Sequence, residues 1–306
     1  MMRPLVALLA LCAAPALADP GTVVAVGGAL EDDNAALFRA LVDAMPADAP
    51  GIVVIPAASG SAGGSASRFA DALARHGVAR DRVDLAQVAM VDDPETPDAD
   101  ESLWRDGGSN PAEIARIERA GLIWFAGGDQ ARIMATLVRP DGSDTPMLAV
   151  IRQRLAAGAV IGGTSAGAAV LGEHMIGCGS PDVALVAPVS RNLADCATTE
   201  EGATGAPLVL AQGLGFLPGI VFDQHFSQRG RLTRLVRAVA CIDAEAVTGI
   251  GVDEDTGFVF GLGRETGHAV GKGTITLVDP SDGRKTCDGA VMDNVRLARI
   301  PARTGN

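Results

Sequence analysis

The 306-residue chain contains no tyrosine, only 2 lysines (Lys272 and Lys285) among its 25 basic residues, and few other aromatics, 2 Trp and 8 Phe. The missing tyrosine removes one general acid from the candidates for chemistry. Basic charge is scarce as well: 37 acidic residues leave a net charge of −12, and no basic stripe interleaves with aromatics, which argues against a nucleic-acid partner. No Cys-x-x-Cys spacing occurs, so a zinc or dithiol redox role is the poorer reading of the cysteines. No heptad pattern and no repeat of 20–50 residues recurs, which excludes coiled coils and solenoids. Beyond the N-terminal leader no apolar run approaches the about 18 residues needed to span a bilayer, so no membrane span is expected.

What is present describes a globular protein. Hydrophobic residues make up 48%, charged residues 20%, and there are 38 glycines, a composition that buries a core. Arg3, the apolar run Leu5–Ala14 and Ala16-Leu17-Ala18 before Asp19 form a secretory signal peptide over residues 1–18. Lipoprotein processing at Cys12 is disfavoured by the bulky Leu11 before it. The mature chain is expected to be a single α/β domain over residues 19–306, secreted or periplasmic, with a net charge of −13 once Arg3 is removed. It retains Cys178, Cys196, Cys241 and Cys287, an even number in an oxidising compartment, so two disulfides are expected. Three pairings are open; Cys178–Cys196 with Cys241–Cys287 is favoured because the first closes a short loop rich in Gly, Pro and Ser.

Short apolar runs ending in small residues alternate with helical patterns, which reads as an open, mostly parallel sheet flanked by helices. Strands are expected at Thr22–Val26, ending in Gly27-Gly28, and at Gly51–Ala57, Val83–Ala89, Leu122–Ala126, Ala159–Gly162 and Ile220–Phe222. Ala246–Asp253, Gly257–Phe260 and Thr274–Val278 are expected to close the sheet. Helical patterns cover Asn34–Met45, Ser67–His76, Met147–Ala157 and Gln228–Ala240, and Asn110-Pro111 opens another. Val91–Asn110, with seven acidic residues, is expected as an exposed loop, and residues 173–215 as an irregular, disulfide-pinned excursion.

The chemistry concentrates at Gly163-Thr164-Ser165-Ala166-Gly167, a Gly-x-Ser-x-Gly elbow between an apolar strand and a helix. Such a turn lifts the serine hydroxyl clear of the sheet and aims the following N–H, here that of Ala166, at the same space. A serine needs a base, and the mature chain offers His76, His174, His225 and His268. His225 is best placed, immediately after a strand at the carboxyl edge where α/β sheets gather ligand groups. His76 reads as a helix-end residue, His174 as part of the excursion and His268 as a Gly-flanked turn. Arg229, Arg231 and Arg234 follow His225, a group able to clamp a carboxylate or simply a solvated helix face. The orienting acid is expected within Asp253-Glu254-Asp255, where alternation puts Asp253 and Asp255 on one face and Glu254 on the other without choosing between them.

Four segments in this order resemble the serine peptidases of the cyanophycinase and aspartyl-dipeptidase group. They are Phe125-Ala126-Gly127-Gly128-Asp129-Gln130, the elbow Gly163–Ala169, Asp223-Gln224-His225-Phe226 with its arginines, and Gly251–Thr256. The resemblance implies a fold like the class I glutamine amidotransferases with serine in place of cysteine. It implies Ser165 as nucleophile, His225 as general base, Glu254 as orienting acid, and the N–H groups of Gly128 and Ala166 as oxyanion hole. Asp129, Gln130, Asp223, Gln224, Arg231 and Arg234 would bind substrate. That substrate would be cyanophycin, a poly-aspartate with arginine on each side-chain carboxyl, cut to β-Asp-Arg dipeptides by a homodimer with no metal or other cofactor. Competing expectations are a dipeptidase for aspartyl or isoaspartyl peptides, an esterase using the late His268, and a silent peptide-binding homologue.

Overall fold

Continuous apolar runs become strands buried on both faces, and in this chain they become the centre of an α/β layer structure. The computed structural model describes residues 20–196, 204–244, 246–264, 266–280, 285–287, 291–292 and 295–304; the expected leader, residues 1–18, lies outside them. Thr22–Val26 (β1), Gly51–Ile55 (β2), Val83–Leu85 (β3), Ala120–Phe125 (β4) and Val160–Thr164 (β5) pair in parallel. The helices Ala35–Asp43 (α1), Ala62–Arg75 (α2), Pro111–Glu118 (α3), Gln130–Leu137 (α4) and Pro146–Ala156 (α5) lie between them in sequence, as parallel crossovers require. Asn34 and Asn110 cap α1 and α3, accepting from the N–H of Leu37 at 3.1 Å and of Ala112 at 2.9 Å, and Pro111 takes the first turn of α3.

After the short helix Ala166–Ala169 (α6) come Gly172–Cys178 (β6), Val209–Gln212 (β7), Leu217–Asp223 (β8), Leu232–Cys241 (α7) and Thr248–Val252 (β9). Thr256–Gly261 (β10), Thr266–Gly271 (β11) and Thr274–Asp279 (β12) follow. A small ribbon of Lys285–Thr286 (β13) and Val291–Met292 (β14) precedes the last strand, Arg296–Pro301 (β15). Seven strands form the first sheet in the order β11-β10-β1-β5-β4-β2-β3, in which β10 runs antiparallel to both of its neighbours, β1 and β11, and the other strands share one direction.

The expected single sheet is two. A second, six-stranded sheet has the order β15-β12-β9-β8-β6-β7, with β6, β8, β9 and β15 running one way and β7 and β12 the other. Periodicity marks strands but not sheet membership, and residues 173–215 hide two strands because β6 carries half-buried Glu173 and His174 and register shifts. His268 lies in β11 opposite Val259 rather than in a turn. The acidic stretch also differs: Asp93 and Glu101 are buried, with Glu101 accepting from the Asp93 N–H at 3.1 Å and the Thr96 hydroxyl at 2.5 Å, so the segment folds on its own carboxylates.

Strand alternation sorts the core into three layers. Val24, Val26, Val54 and Trp124 face α1 and α2 through Leu37, Phe38, Phe69 and Leu73. On the other face Ala25, Ile55, Phe125 and Ile161 meet α3 to α5 and also Phe222, Ile250 and Val252 of the second sheet. The far side of that sheet, through Ile176, Val221 and Val278, packs on Leu235 and Val239 of α7. The disulfides join Cys178 to Cys196 and Cys241 to Cys287, tying the excursion to β6 and the end of α7 to the C-terminal segment. No helix among the described residues is long and apolar enough to cross a membrane.

Candidate active site

The carboxyl end of β1 organises the site. The Val26 carbonyl accepts the N–H of Ser165 at 2.9 Å, the Gly27 carbonyl that of His225 at 2.7 Å, and the Gly28 carbonyl that of Asp255 at 2.9 Å. Three segments far apart in sequence are thereby held on three successive residues. Both glycines are obligatory: a Cβ on Gly27 would overlap the Asp253 carbonyl, and one on Gly28, at φ 101°, would overlap Cε1 and Nε2 of His225. Among the described residues four non-glycine positions have φ in the left-handed region, namely Ala29 at 44°, Ser165 at 52°, His225 at 48° and Asp255 at 50°. All four belong to this junction, the pattern of backbone strain held where function needs it.

Ser165 ends β5 and precedes α6, and Gly163 and Gly167 let the elbow close, because a Cβ on either would strike backbone, of Gly167 and of Phe125 respectively. Its Oγ lies 2.8 Å from Nε2 of His225, and Nδ1 of His225 lies 2.6 Å from Oε1 of Glu254. The geometry therefore selects His225 over His76, whose ring stacks on Phe38 and bonds the Asp32 carbonyl at 2.8 Å. It also selects Glu254 from the three acids. Asp253 accepts from the N–H of Ser227 at 3.0 Å and from the N–H and hydroxyl of Thr274 at 3.0 and 2.6 Å. Asp255 accepts from the side-chain amide of Asn34 at 2.8 Å and pairs with Lys272 at 2.9 Å. Both neighbours of Glu254 are pinned, and its own N–H donates to Oε1 of Gln228 at 3.0 Å. Burial alone would raise the Asp253 carboxyl, but the bonds from Ser227 and Thr274 outweigh it and hold it below the ordinary carboxylate range.

Gly127 and Gly128, at the end of β4, abut Ser165: a Cβ on Gly127 would sit 3.3 Å from that of Ser165. Neither the Gly128 nor the Ala166 N–H donates to a backbone carbonyl outside regular structure among the described residues. Asp129 caps α4 through the Ala131 N–H at 2.8 Å, and the Gln130 amide donates to the carbonyls of Ile176, at 3.1 Å, and Gly177. Asp223 is fully buried in a bidentate pair with Arg234, whose Nη1 reaches the Gly179 carbonyl at 2.7 Å. Arg231, also buried, donates to the Gln224 carbonyl at 2.7 Å. Asp223, Arg231 and Arg234 brace the turn that carries His225. They do not line the cavity of about 350 Å3 that opens beside Ser165 and His225; its walls include Asp32, Phe38, Arg68, Phe69 and Trp124. Sequence reading missed these wall residues and the role of Gly27-Gly28, because on one chain they look like core and a strand end. No group of three or more His, Cys, Asp or Glu among the described residues is arranged to hold a metal ion.

An α/β frame with a serine at a strand-to-helix elbow, bonded to an imidazole that a carboxylate holds, is the arrangement of a serine-type peptidase. The model of peptidase family S51 matches residues 105–261, and the chain belongs to that family. It is 37% identical over 222 residues to a cyanophycinase of Synechococcus elongatus, covering 71% of this chain and 58% of that one. Against a cyanophycinase of Trichormus variabilis the identity is 40% over 172 residues, 55% of this chain and 48% of that one. The chain thus spans about half the length of the curated relatives it matches. A solved peptidase from an acI-B1 Actinobacterium shares the fold, with a TM-score of 0.62 at 17% identity over 94% of this chain and 96% of that one.

Two outcomes follow from the junction. Gly28→Ala pushes the imidazole off Ser165, so turnover falls about 100-fold or more while the fold survives, checked by steady-state kinetics alongside thermal melting. Because the folded Asp253 carboxyl is held low, its contribution is complete above the unfolded pKa near about 3.9 and is lost as pH falls through the folded value. Asp253→Asn therefore costs about 1–3 kcal/mol at pH 7 and less at pH 3, measured by urea unfolding; an equal cost at both would contradict the assignment.

Proposed function

We propose that the protein is a serine peptidase that degrades cyanophycin and releases β-Asp-Arg dipeptides. The observation that carries this reading is the pair of contacts Ser165 Oγ to His225 Nε2 at 2.8 Å and His225 Nδ1 to Glu254 Oε1 at 2.6 Å. Membership of peptidase family S51 and the identity to cyanophycinases support the reaction class and the substrate.

In this reading His225 takes the proton of Ser165 as Oγ adds to the carbonyl carbon of the scissile aspartyl bond. Glu254 keeps the proton of Nδ1 in place and stabilises the imidazolium that forms. The negative oxygen of the tetrahedral intermediate meets the N–H groups of Gly128 and Ala166, which are fixed before the reaction and need no reorganisation. Collapse breaks the C–N bond, and His225 protonates the departing amine. Water, deprotonated by the same imidazole, then adds to the acyl-Ser165 ester, and Ser165 leaves with its proton restored. Asp223, Gln224, Arg231 and Arg234 hold His225 in register rather than supplying the first wall a substrate meets. The pairs Cys178–Cys196 and Cys241–Cys287 support catalysis in an oxidising compartment, outside the cytoplasm.

Incubation of the purified protein with insoluble cyanophycin, followed by mass spectrometry of the supernatant, tests this. Wild type is expected to release β-Asp-Arg; Ser165→Ala and His225→Ala are expected to lose at least about 10³-fold, and Glu254→Gln about 10²- to 10⁴-fold. Hydrolysis of short β-aspartyl peptides without attack on the polymer would turn the reading to a dipeptidase, and no hydrolysis of either by folded protein would end it.

A further inference from the structure

His225 and Glu254 stand on two segments that run side by side beyond the ends of β8 and β9, and successive links join these segments. The Phe226 N–H donates to the Val252 carbonyl at 3.1 Å, and the Ser227 N–H donates to Oδ1 of Asp253 at 3.0 Å. The third link runs the other way, from the Glu254 N–H to Oε1 of Gln228 at 3.0 Å. Residues 226, 227 and 228 thus meet residues 252, 253 and 254 in order. Glu254 is tied to the His225 turn at both ends, by its N–H to Gln228 and by its carboxylate to Nδ1 of His225 at 2.6 Å.

The three links are not equivalent. The first is backbone to backbone, and the second ends on a buried carboxylate that Thr274 also holds. The third hangs on one exposed side chain. A hydrogen bond at such a position contributes little to folding, because water replaces it at small cost. Its effect is on direction. The Glu254 side chain is 32% exposed, so packing alone does not fix a chain with three rotatable bonds. The Glu254 carbonyl accepts the Thr256 hydroxyl at 2.9 Å, and with Gln228 on its N–H both backbone polar groups of Glu254 are held. The carboxylate then starts from a fixed point.

We infer that Gln228 is a positioning residue for the triad, its side-chain oxygen holding the backbone of Glu254 so that the carboxylate meets Nδ1 of His225. The inference rests on the peptidase reading and names the group that sets the contact between base and acid. Two consequences separate this role from a merely structural one. Loss of the acceptor slows the steps that form the imidazolium and leaves substrate binding alone, so kcat falls while KM holds. It also costs nothing further once the carboxylate is gone, because groups that act as a unit are not additive.

Gln228→Met keeps the length of the side chain and removes the acceptor, whereas Gln228→Glu keeps an acceptor. Both are made in the wild type, and Gln228→Met also in Glu254→Gln, with thermal melting to show that each variant is folded. Two rates are read: turnover of cyanophycin, and labelling of Ser165 by an aryl phosphonate followed by intact mass. Gln228→Met is expected to lower kcat and the labelling rate about 3- to 10-fold, with KM and melting temperature near the wild-type values. Gln228→Glu is expected to recover part of the loss, and Gln228→Met in Glu254→Gln to add none. An equal loss in both backgrounds, a loss that Gln228→Glu does not relieve, or no loss at all in a protein that labels and cleaves would overturn the assignment and leave the peptidase reading in place. Labelling of Ser165 that depends on Gln228 only through Glu254, in a protein that cleaves neither the polymer nor short β-aspartyl peptides, would do the reverse. A folded wild type that neither labels nor cleaves would overturn both.

Discussion

Three successive carbonyls at the end of β1 hold the site together, because Val26, Gly27 and Gly28 accept the N–H groups of Ser165, His225 and Asp255. A backbone hydrogen bond is worth little net, yet three of them on one rigid strand end fix three distant segments relative to one another. The left-handed φ at Ser165, His225 and Asp255 is the conformational cost of turning each segment into this junction. Hydrophobic burial of β1 between its layers supplies the rigidity, as Val24 and Val26 are sealed on one side and Ala25 on the other. The geometry proposed for catalysis is thus inherited from a buried central strand, and the side-chain contacts at 2.8 and 2.6 Å are its consequence.

The same logic explains the charged groups around the triad. Asp253 bridges the His225 turn, through Ser227, to β12, through Thr274, while Asp255 is locked to Asn34 at the start of α1 and to Lys272. Glu254, between them, turns its carboxylate to the imidazole. Asp223 with Arg234 does the equivalent on the other side of His225 and also reaches the β6 end through the Gly179 carbonyl. A buried ion pair of this kind adds little stability but is costly to break one partner at a time, so it serves geometry. The family model covers Ser165, His225 and Glu254, whereas the β1 carbonyls and the cavity wall that includes Arg68 come from the preceding hundred residues.

Much of this was legible in the chain. The elbow at Ser165 announces itself because Gly163 and Gly167 flank a serine between an apolar strand and a helix, though the same glycines also suit close helix–strand packing, and His225 stands out as the one histidine directly after an apolar strand. The first sheet's parallel strands are plain because their runs are apolar on both faces. The division into two sheets was not, since β8 and β9 look alike whichever neighbours they pair with, and β6 carries Glu173 and His174 where a strand pattern needs apolar residues. Arg231 and Arg234 read either as a clamp for a carboxylate or as a solvated helix face; the structure buries both, against Gln224 and Asp223, because sequence shows charge but not burial. Gly27-Gly28 reads as a strand end; only the imidazole resting against Gly28 shows why a side chain is excluded.

If the junction makes Ser165 a nucleophile, a serine-directed aryl phosphonate labels it without any choice of substrate. After incubation, intact mass and peptide mapping of the wild-type protein are predicted to show one covalent adduct, on Ser165, with labelling lost in His225→Ala. A folded wild-type protein that takes up no phosphonate, or takes it up equally well without His225, would contradict the account.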